Sequence, residues 1–473
     1  MGEEIRDSRF TRADFVAFEA RLHEETALLQ EMLDAGVFSS RGNMVGIELE
    51  AWIVDEHARP LPLNERLLAE LDNPMVVPEL STFNFELNVA PQVLTGRALS
   101  LLGSELVATW HACRDAARRL GADIVAIGIL PTVRDGDLTL AHMSNAQRYR
   151  ALNEQIVAAR GGEPLVVDIQ GRQHLEAEHD HVMVEAAATS LQLHQQVTPA
   201  EAASVYNASL IASAAVVAVS ANSPYAFEHD LWDESRIPLF EQSIGASSGG
   251  GGRVTFGDRF ETGSLAACFT ENLARFPVLL PSLRHDAAEH LSHLRLHNGT
   301  IWRWNRPLVG FDADGTPHLR IEHRVIPAGP TIIDAFANAA FFWGLVRALV
   351  DRGEADSPSL AFEQVRWNFY EAARYGLHCS TNWLDGRLRP LREVLIENCI
   401  PLAAEGLARL GIEPGHIDHF LGIIGERTAS DQNGATWQRR WVARHGFDVR
   451  ALTENYMQRQ NTEIPVHEWD IHA

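Results

Sequence analysis

The chain has 473 residues, enough for one large core or two or three smaller ones, and its 46% hydrophobic and 22% charged content is that of a globular protein. Its 40 basic and 63 acidic residues give a formal charge of −23, which argues against nucleic acid or an anionic membrane as the main partner. Cys113, Cys268, Cys379 and Cys399 show no C-x-x-C spacing, which speaks against a zinc cluster and for buried, reduced thiols.

Met1 to Asp7 is polar and mixed in charge, unlike a signal peptide, and the apolar run near Ala212 to Val219 reads as too short to span a bilayer. A cytoplasmic location is expected. Thr11 with Asp14 reads as the N-cap of a helix in which Phe15, Phe18, Leu22, Leu29 and Met32 recur at helical spacing up to Gly36. A strand follows from Asn43 to Val54. Val45, Ile47, Leu49, Ala51 and Ile53 alternate with Glu48 and Glu50, so the two glutamates share one face about 7 Å apart. A second strand, between Pro78 and Ala90, carries Asn84, Glu86 and Asn88 opposite Phe83, Phe85, Leu87 and Val89.

A helix is expected from Ala98 to Leu120 and a buried strand from Ala122 to Leu130, stopped by Pro131. Asp180 to Val197 reads as one long strand with Ser190, Gln192, His194 and Gln196 on one face. Thr198-Pro199-Ala200-Glu201 reads as a capping box opening a helix of small apolar residues that runs to about Ser220. Gly245 to Gly252 is a glycine–serine segment. It lacks a following Lys-Ser or Lys-Thr and reads as a surface loop or active-site flap, not a phosphate cradle. A third carboxylate strand, His318 to Ile326, presents Arg320, Glu322 and Arg324 together and leads to a helix capped by Thr331 and Asp334. Helices are expected near Phe362 to Tyr375, Leu391 to Leu410 and His416 to Gly425. Clustered strands with helices between and after them suggest an α+β fold with a mainly antiparallel sheet.

Any one of these strands could be an ordinary amphipathic strand with a wet face. Two glutamates on one face, however, repel by about 2 kcal/mol at ~7 Å and an effective dielectric near 20, and glutamate is depleted in strands. Three such strands favour a converging carboxylate set held by cations, and hard oxygen ligands suit Mg²⁺ or Mn²⁺. Arginine beside Glu322 points to an anionic ligand next to the metal, with phosphate the best fit. The histidines form no H-E-x-x-H motif. His194 alone stands out, because it shares a polar face with Gln192. Arg374 closes its helix either as a cation on the helix dipole or as an anion contact.

Several segments together resemble the type 2 glutamate–cysteine ligases, a carboxylate–amine ligase family. Gly46-Ile47-Glu48-Leu49-Glu50 resembles its G-x-E-x-E opening, and Glu79 with Glu86-Leu87-Asn88-Val89-Ala90-Pro91 resembles the segment that follows. Gln192-Leu193-His194-Gln195-Gln196-Val197 is similar to H-x-H-V-G-V, with glutamine for the first histidine. Ser220-Ala221-Asn222-Ser223-Pro224, Trp304-Asn305-Arg306-Pro307, Ile321-Glu322-His323-Arg324-Val325 and Ala372-Ala373-Arg374-Tyr375-Gly376-Leu377 continue the family's order, the second of them without the usual aspartate.

The resemblance implies a glutamine synthetase-like catalytic fold in which a curved antiparallel sheet lines a funnel. The chain is expected to divide into an N-terminal helix over 1–42 packing on the core, a glutamine synthetase-like catalytic core over 43–390, and a helical C-terminal part of the same domain over 391–473. Carried over by position, Glu48, Glu79, Glu86, Gln192, His194 and Glu322 are the expected metal residues, with Glu50 beside them. Arg324 is expected to face the phosphates, with Arg306 and Arg374 as further anion contacts. The implied activity is an ATP- and Mg²⁺-dependent (or Mn²⁺-dependent) ligation of an amino acid's side-chain carboxylate, that of L-glutamate, to an amine such as cysteine through an acyl phosphate. A phosphotransferase or a non-catalytic sensor on the same fold remains the alternative. The expected partners are ATP, an amino acid and an amine; a homo-oligomer is compatible with the sequence.

Overall fold

A computed structural model describes residues 4, 5, 7–245 and 252–472. The expected glycine–serine loop therefore lies, apart from its two ends, outside the described residues.

The fold is organised around an eight-stranded sheet. Its strands are β1 (Met44–Val54), β2 (Val76–Pro78), β3 (Asn84–Asn88), β4 (Gln92–Val93), β5 (Asp123–Val125), β6 (Ser190–Val197), β7 (Asn305–Phe311) and β8 (Pro317–Pro327). They run in the order β7-β8-β6-β1-β3-β2, with β4 and β5 also pairing with β1, and every pairing is antiparallel. The sheet curls strongly into a half-barrel. Pro307 sits on β7 at the sheet edge, where a missing N–H costs no ladder bond.

One face of the sheet is covered by helices apolar on all sides. Ala202–Ser220 and Ile332–Asp351 are each long and apolar enough by composition to cross a membrane, which corrects the expectation that no run was long enough. Their apolar windows are 94% and 83% buried inside the protein, as fits the central helices of a large core. The Ile332–Asp351 helix crosses the Ile400–Arg409 helix at two glycines. A Cβ on Gly344 would overlap the Ala403 carbonyl, and one on Gly406 the Gly344 carbonyl. A buried ion pair ties this layer together: Arg427 Nη2 lies 2.7 Å from Asp334 Oδ1, and Arg427 Nη1 donates to the Val219 carbonyl at 2.9 Å.

Thr11 and Asp14 form the expected capping box on helix Arg12–Asp34, and Thr331 caps Ile332–Asp351 as expected. All four cysteines are free and buried. Four expectations need correction. The helix ending at Ser220 starts at Ala202, not in a capping box at Thr198, because Glu201 turns its carboxylate to Arg347 at 2.9 Å. The expected 122–130 strand stops at Val125. Beyond it the backbone partners are diverted, with Ala126 N donating to Gln460 Oε1 and the Gly128 carbonyl accepting from Thr189 N. The expected 180–197 strand is broken by a 3₁₀ segment, Val182–Ala187, which folds Glu185 inward before β6 begins. The expected 391–410 helix loosens into a π turn over Leu395–Cys399 before Pro401, which has no N–H to close an α-helical bond.

Candidate active site

The open face of the curled sheet carries the charged residues. Register fixes their placement: β1 pairs with β3 so that Glu50 faces Glu86, and with β6 so that Glu48 faces Gln192. Strand β8 sets Glu322 opposite His194, and β7 sets Arg306 opposite Glu322. The ladder between β6 and β8 shifts register between His323 and Ile326, and Arg324 lies in that irregular stretch. It reaches back along the face to both Gln192 and Glu322.

Two donor groups result. Glu48, His194 and Glu322 form one; Glu50, Glu79 and Glu86 form the other; within each, the ligand atoms lie within 4.8 Å of one another. The neighbours Glu48 and Glu50 of a single strand thus serve different groups. Glu79, in the loop between β2 and β3, completes the second. Both groups line a cleft of about 880 Å³ whose other walls include Tyr149, Leu152, Val182, Ile244, Leu280 and Trp302.

The arginines are paired to these carboxylates. Arg306 holds Glu322 in a fork, Nε to Oε2 at 2.8 Å and Nη2 to Oε1 at 2.9 Å, and Arg324 Nη1 stands 3.2 Å from Glu322 Oε2. Burial raises the Glu322 carboxyl's proton affinity, but the two guanidiniums and His194 outweigh it, and the group is held well below the usual carboxylate range. Glu48 behaves alike: burial is opposed by His194 and Arg320, and the net position is well below normal. The second group goes the other way. Burial lifts Glu50 to about 7, against Arg324 and with the help of Glu86. Burial, Glu50 and Glu185 lift Glu79 to about 7, and burial with Glu48 and Glu79 pushes Glu86 well above the normal range. Such crowding is what a bound cation would relieve.

His194 Nε2 is 3.1 Å from Glu48 Oε1 and 3.9 Å from Glu322 Oε1, yet neither ring nitrogen makes a well-aligned hydrogen bond. An imidazole left so beside two ionised carboxylates fits a divalent cation, as does the all-carboxylate second group. Gln192, expected among the metal residues, lines the same cleft, where its Nε2 donates to Glu50 Oε1 at 2.8 Å and its Oε1 accepts from Arg324. Arg374 does not line the cleft. Half-exposed at the end of its helix, it lies over the Trp232 ring at 4.8 Å and pairs with Glu371 at 3.3 Å. Asn305, where the family aspartate was missed, points away from the cleft; it binds Ser213 Oγ at 3.0 Å and His323 Nδ1 at 2.7 Å.

The sequence reading missed Glu185 and Arg148, which also line the cleft. Burial and Glu50 push the Glu185 carboxyl up to about 8. Its only signal was an isolated acid within the apolar run Val182-Met183-Val184-Glu185-Ala186-Ala187.

Comparison with known proteins settles the family. The model for Glutamate-cysteine ligase family 2 matches residues 44–463. The chain belongs to that family. Its members are ATP-dependent carboxylate–amine ligases, and this chain is one of them. Its fold resembles that of a glutamate–cysteine ligase from Francisella tularensis, solved in complex with AMP, with TM-score 0.54 and 13% identity over 92% of this chain and 91% of that one. A bifunctional glutathione synthetase from Pasteurella multocida aligns with TM-score 0.49 and 12% identity, over 93% of this chain and 55% of the other. A Pup ligase, PafA, solved with the ubiquitin-like protein Pup, aligns with TM-score 0.37 and 10% identity, over 89% and 72% of the two chains. No curated protein matches in sequence.

Proposed function

We propose that this ligase activates the side-chain carboxylate of L-glutamate with ATP and joins it to a small amine, with L-cysteine the first candidate. The observation that carries this reading is the placement of two carboxylate donor groups and two arginines, Arg306 and Arg324, on one wall of a single cleft. Glu48, His194 and Glu322 would hold one divalent cation, Mg²⁺ or Mn²⁺, and Glu50, Glu79 and Glu86 another. Cations bound there would neutralise phosphate oxygens and the charge that develops on the leaving group.

The apolar wall formed by Leu152, Val182, Ile244, Leu280 and Trp302 offers a surface for the adenine, with the phosphates directed toward the carboxylates. A substrate carboxylate oxygen attacks the γ-phosphorus, the β–γ bridging bond breaks, and ADP leaves. The amine nitrogen then attacks the acyl carbon of the acyl phosphate, and inorganic phosphate departs as the amide forms. Arg324 holds a fixed positive charge where water is largely excluded, so it stabilises charge on the transferring group without reorganising. No protein nucleophile is required.

An ADP-release screen of L-glutamate with a panel of amines tests this reading. ADP should form with ATP and Mg²⁺ only when both carboxylate and amine are present. Transfer to a hydroxyl compound without any amine would indicate a phosphotransferase, and no ADP under any combination would indicate a sensor; either result contradicts the proposal.

A further inference from the structure

A second set of metal-ligating side chains lies outside the cleft. His179 ends the hairpin formed by strands Leu165–Gln170 and His174–His179, and His181 stands two residues on, just before the 3₁₀ segment Val182–Ala187. In sequence this His179-Asp180-His181 pair has no third ligand beside it. The fold supplies one. Asp135, at the start of the 3₁₀ turn Asp135–Asp137, places its Oδ1 3.1 Å from His179 Nε2. None of the three residues lines the main cleft.

The geometry points to a divalent transition-metal site built from His179, His181 and Asp135, with Zn²⁺ the best fit. Two imidazoles and one carboxylate, with water in the fourth position, are a tetrahedral zinc set, whereas Mg²⁺ and Ca²⁺ prefer oxygen throughout. The His179 side chain is only 5% exposed, yet its Nε2 is buried without a hydrogen-bond partner, the nearby Asp135 oxygen being badly aligned for one. His181 Nδ1 is also buried and unpartnered. A buried polar atom left so costs about 1–3 kcal/mol, and a cation shared by two neighbouring imidazoles accounts for both.

The spacing needs little adjustment. The two ring centroids are 6.1 Å apart with their planes inclined at 48°. Imidazoles bound to one tetrahedral ion at ~2.0–2.1 Å have centroids about 5 Å apart, so a closing movement of about 1 Å seats both. Asp135 can follow, because its side chain is 56% exposed, while the turn beneath it is fixed by Arg134 N donating to Asp137 Oδ2 at 2.9 Å. Burial, opposed by Asp135 and Asp180 and assisted by His181, holds the His179 imidazole below its ordinary range; the neutral ring is the form that ligates. The ion ties the Asp135 turn to the segment that follows His181. That segment starts at Val182, whose N donates to Asn153 Oδ1 at 3.0 Å, and it carries Val182 and Glu185 to the cleft wall. This site stands whichever carboxylate and amine the enzyme joins.

The test is calorimetric titration of Zn²⁺ into the intact enzyme with Mg²⁺ saturating, for the wild type, His179→Gln, Asp135→Asn and His194→Gln. His194→Gln removes the imidazole of the cleft and so separates zinc bound there from zinc bound at His179. One equivalent of Zn²⁺ should bind to the wild type and to His194→Gln with the same affinity. His179→Gln and Asp135→Asn should each weaken it by at least ~10- to 100-fold, the scale of losing a group that holds a metal. Asp135 is exposed, so Asp135→Asn keeps the test decisive even if His179→Gln fails to fold. Zinc binding that disappears in His194→Gln, or that is unchanged in Asp135→Asn, would overturn the site, as would a wild type that takes up no zinc.

Discussion

Arg306 grips Glu322 from the adjacent strand with two parallel hydrogen bonds, 2.8 and 2.9 Å, and both side chains are buried. Both residues line the main cleft. Removing one partner of a buried, forked ion pair leaves the other charge uncompensated. Arg306→Ala should therefore lower stability by about 3 kcal/mol, with Arg324 still holding part of the Glu322 charge. Arg306→Lys should regain charge but not the fork and fall between the two. Chemical denaturation of the three proteins measures this, and a loss below ~1 kcal/mol for Arg306→Ala would remove the pair from the frame of the site.

Glu86 should behave in the opposite way. It lies against Glu50 across the β1–β3 ladder and beside Glu79, and burial, with Glu48 and Glu79, opposes its ionisation. Glu86→Gln should leave the cation-free protein as stable as wild type or slightly more so, while abolishing most activity and the stabilisation given by Mn²⁺. Thermal melts with and without Mn²⁺ show both effects. Marked unfolding of the cation-free variant would mean that Glu86 serves the fold and not a cation.

The same crowding predicts a pH dependence. Glu50 and Glu79 are raised to about 7 and Glu185 to about 8, whereas an unfolded glutamate titrates near ~4.3. Between pH 6.5 and 8 the native state thus still binds protons that the unfolded chain has lost, and stability falls as pH rises. The buried His297, depressed to about 4, stays neutral in the native state while unfolded histidine loses its last protons up to about pH 7.5, so its opposing slope fades across the lower part of this window and the drop is clearest from about pH 7.5 to 8. The cation-free melting temperature should drop across this window, and saturating Mg²⁺ should flatten the drop by taking the protons' place. A melting temperature that rises from pH 6.5 to 8 without cations would contradict the raised carboxyls.

Outside the cleft lining, Arg427 and Asp334 form an ion pair with 1% and 0% side-chain exposure. Arg427→Met would leave Asp334 buried with, among the described residues, Thr331 and the Val466 amide as its side-chain hydrogen-bond partners. The expected loss is again about 3 kcal/mol, with the KM values for ATP and glutamate unchanged at a temperature where the variant is folded. Denaturation and steady-state kinetics separate the two; a raised KM would show that this helical layer sets the cleft geometry.

Much of the site could be read from period-two alternation alone. Glu48, Glu50, Glu86 and Glu322 lie on regular strands, where position in sequence fixes the face. What alternation cannot supply is the register between strands, so the division of Glu48 and Glu50 between two donor groups emerges only from the pairing of β1 with β3 and β6. It also fails where backbone bonds leave the ladder. Glu185 enters the cleft from a 3₁₀ segment that an extended reading conceals, and the 122–130 run is apolar because it is buried, not because it is a strand. The family pattern placed Gln192 with the metal residues; the amide's link between Glu50 and Arg324, donating to one and accepting from the other, could not be read from that pattern. Arg374 matched a motif in sequence while its helix end faces away from the cleft.

The central claim is that this cleft converts a carboxylate into an acyl phosphate. The most direct measurement is hydroxylamine trapping: enzyme, L-glutamate, ATP and Mg²⁺ are incubated with hydroxylamine, and the hydroxamate is quantified alongside ADP. The account predicts hydroxamate and ADP in equal amounts, with neither formed when ATP, Mg²⁺ or the carboxylate is omitted and both lost in Glu86→Gln. ADP without hydroxamate, or no ADP with any carboxylate offered, would contradict it.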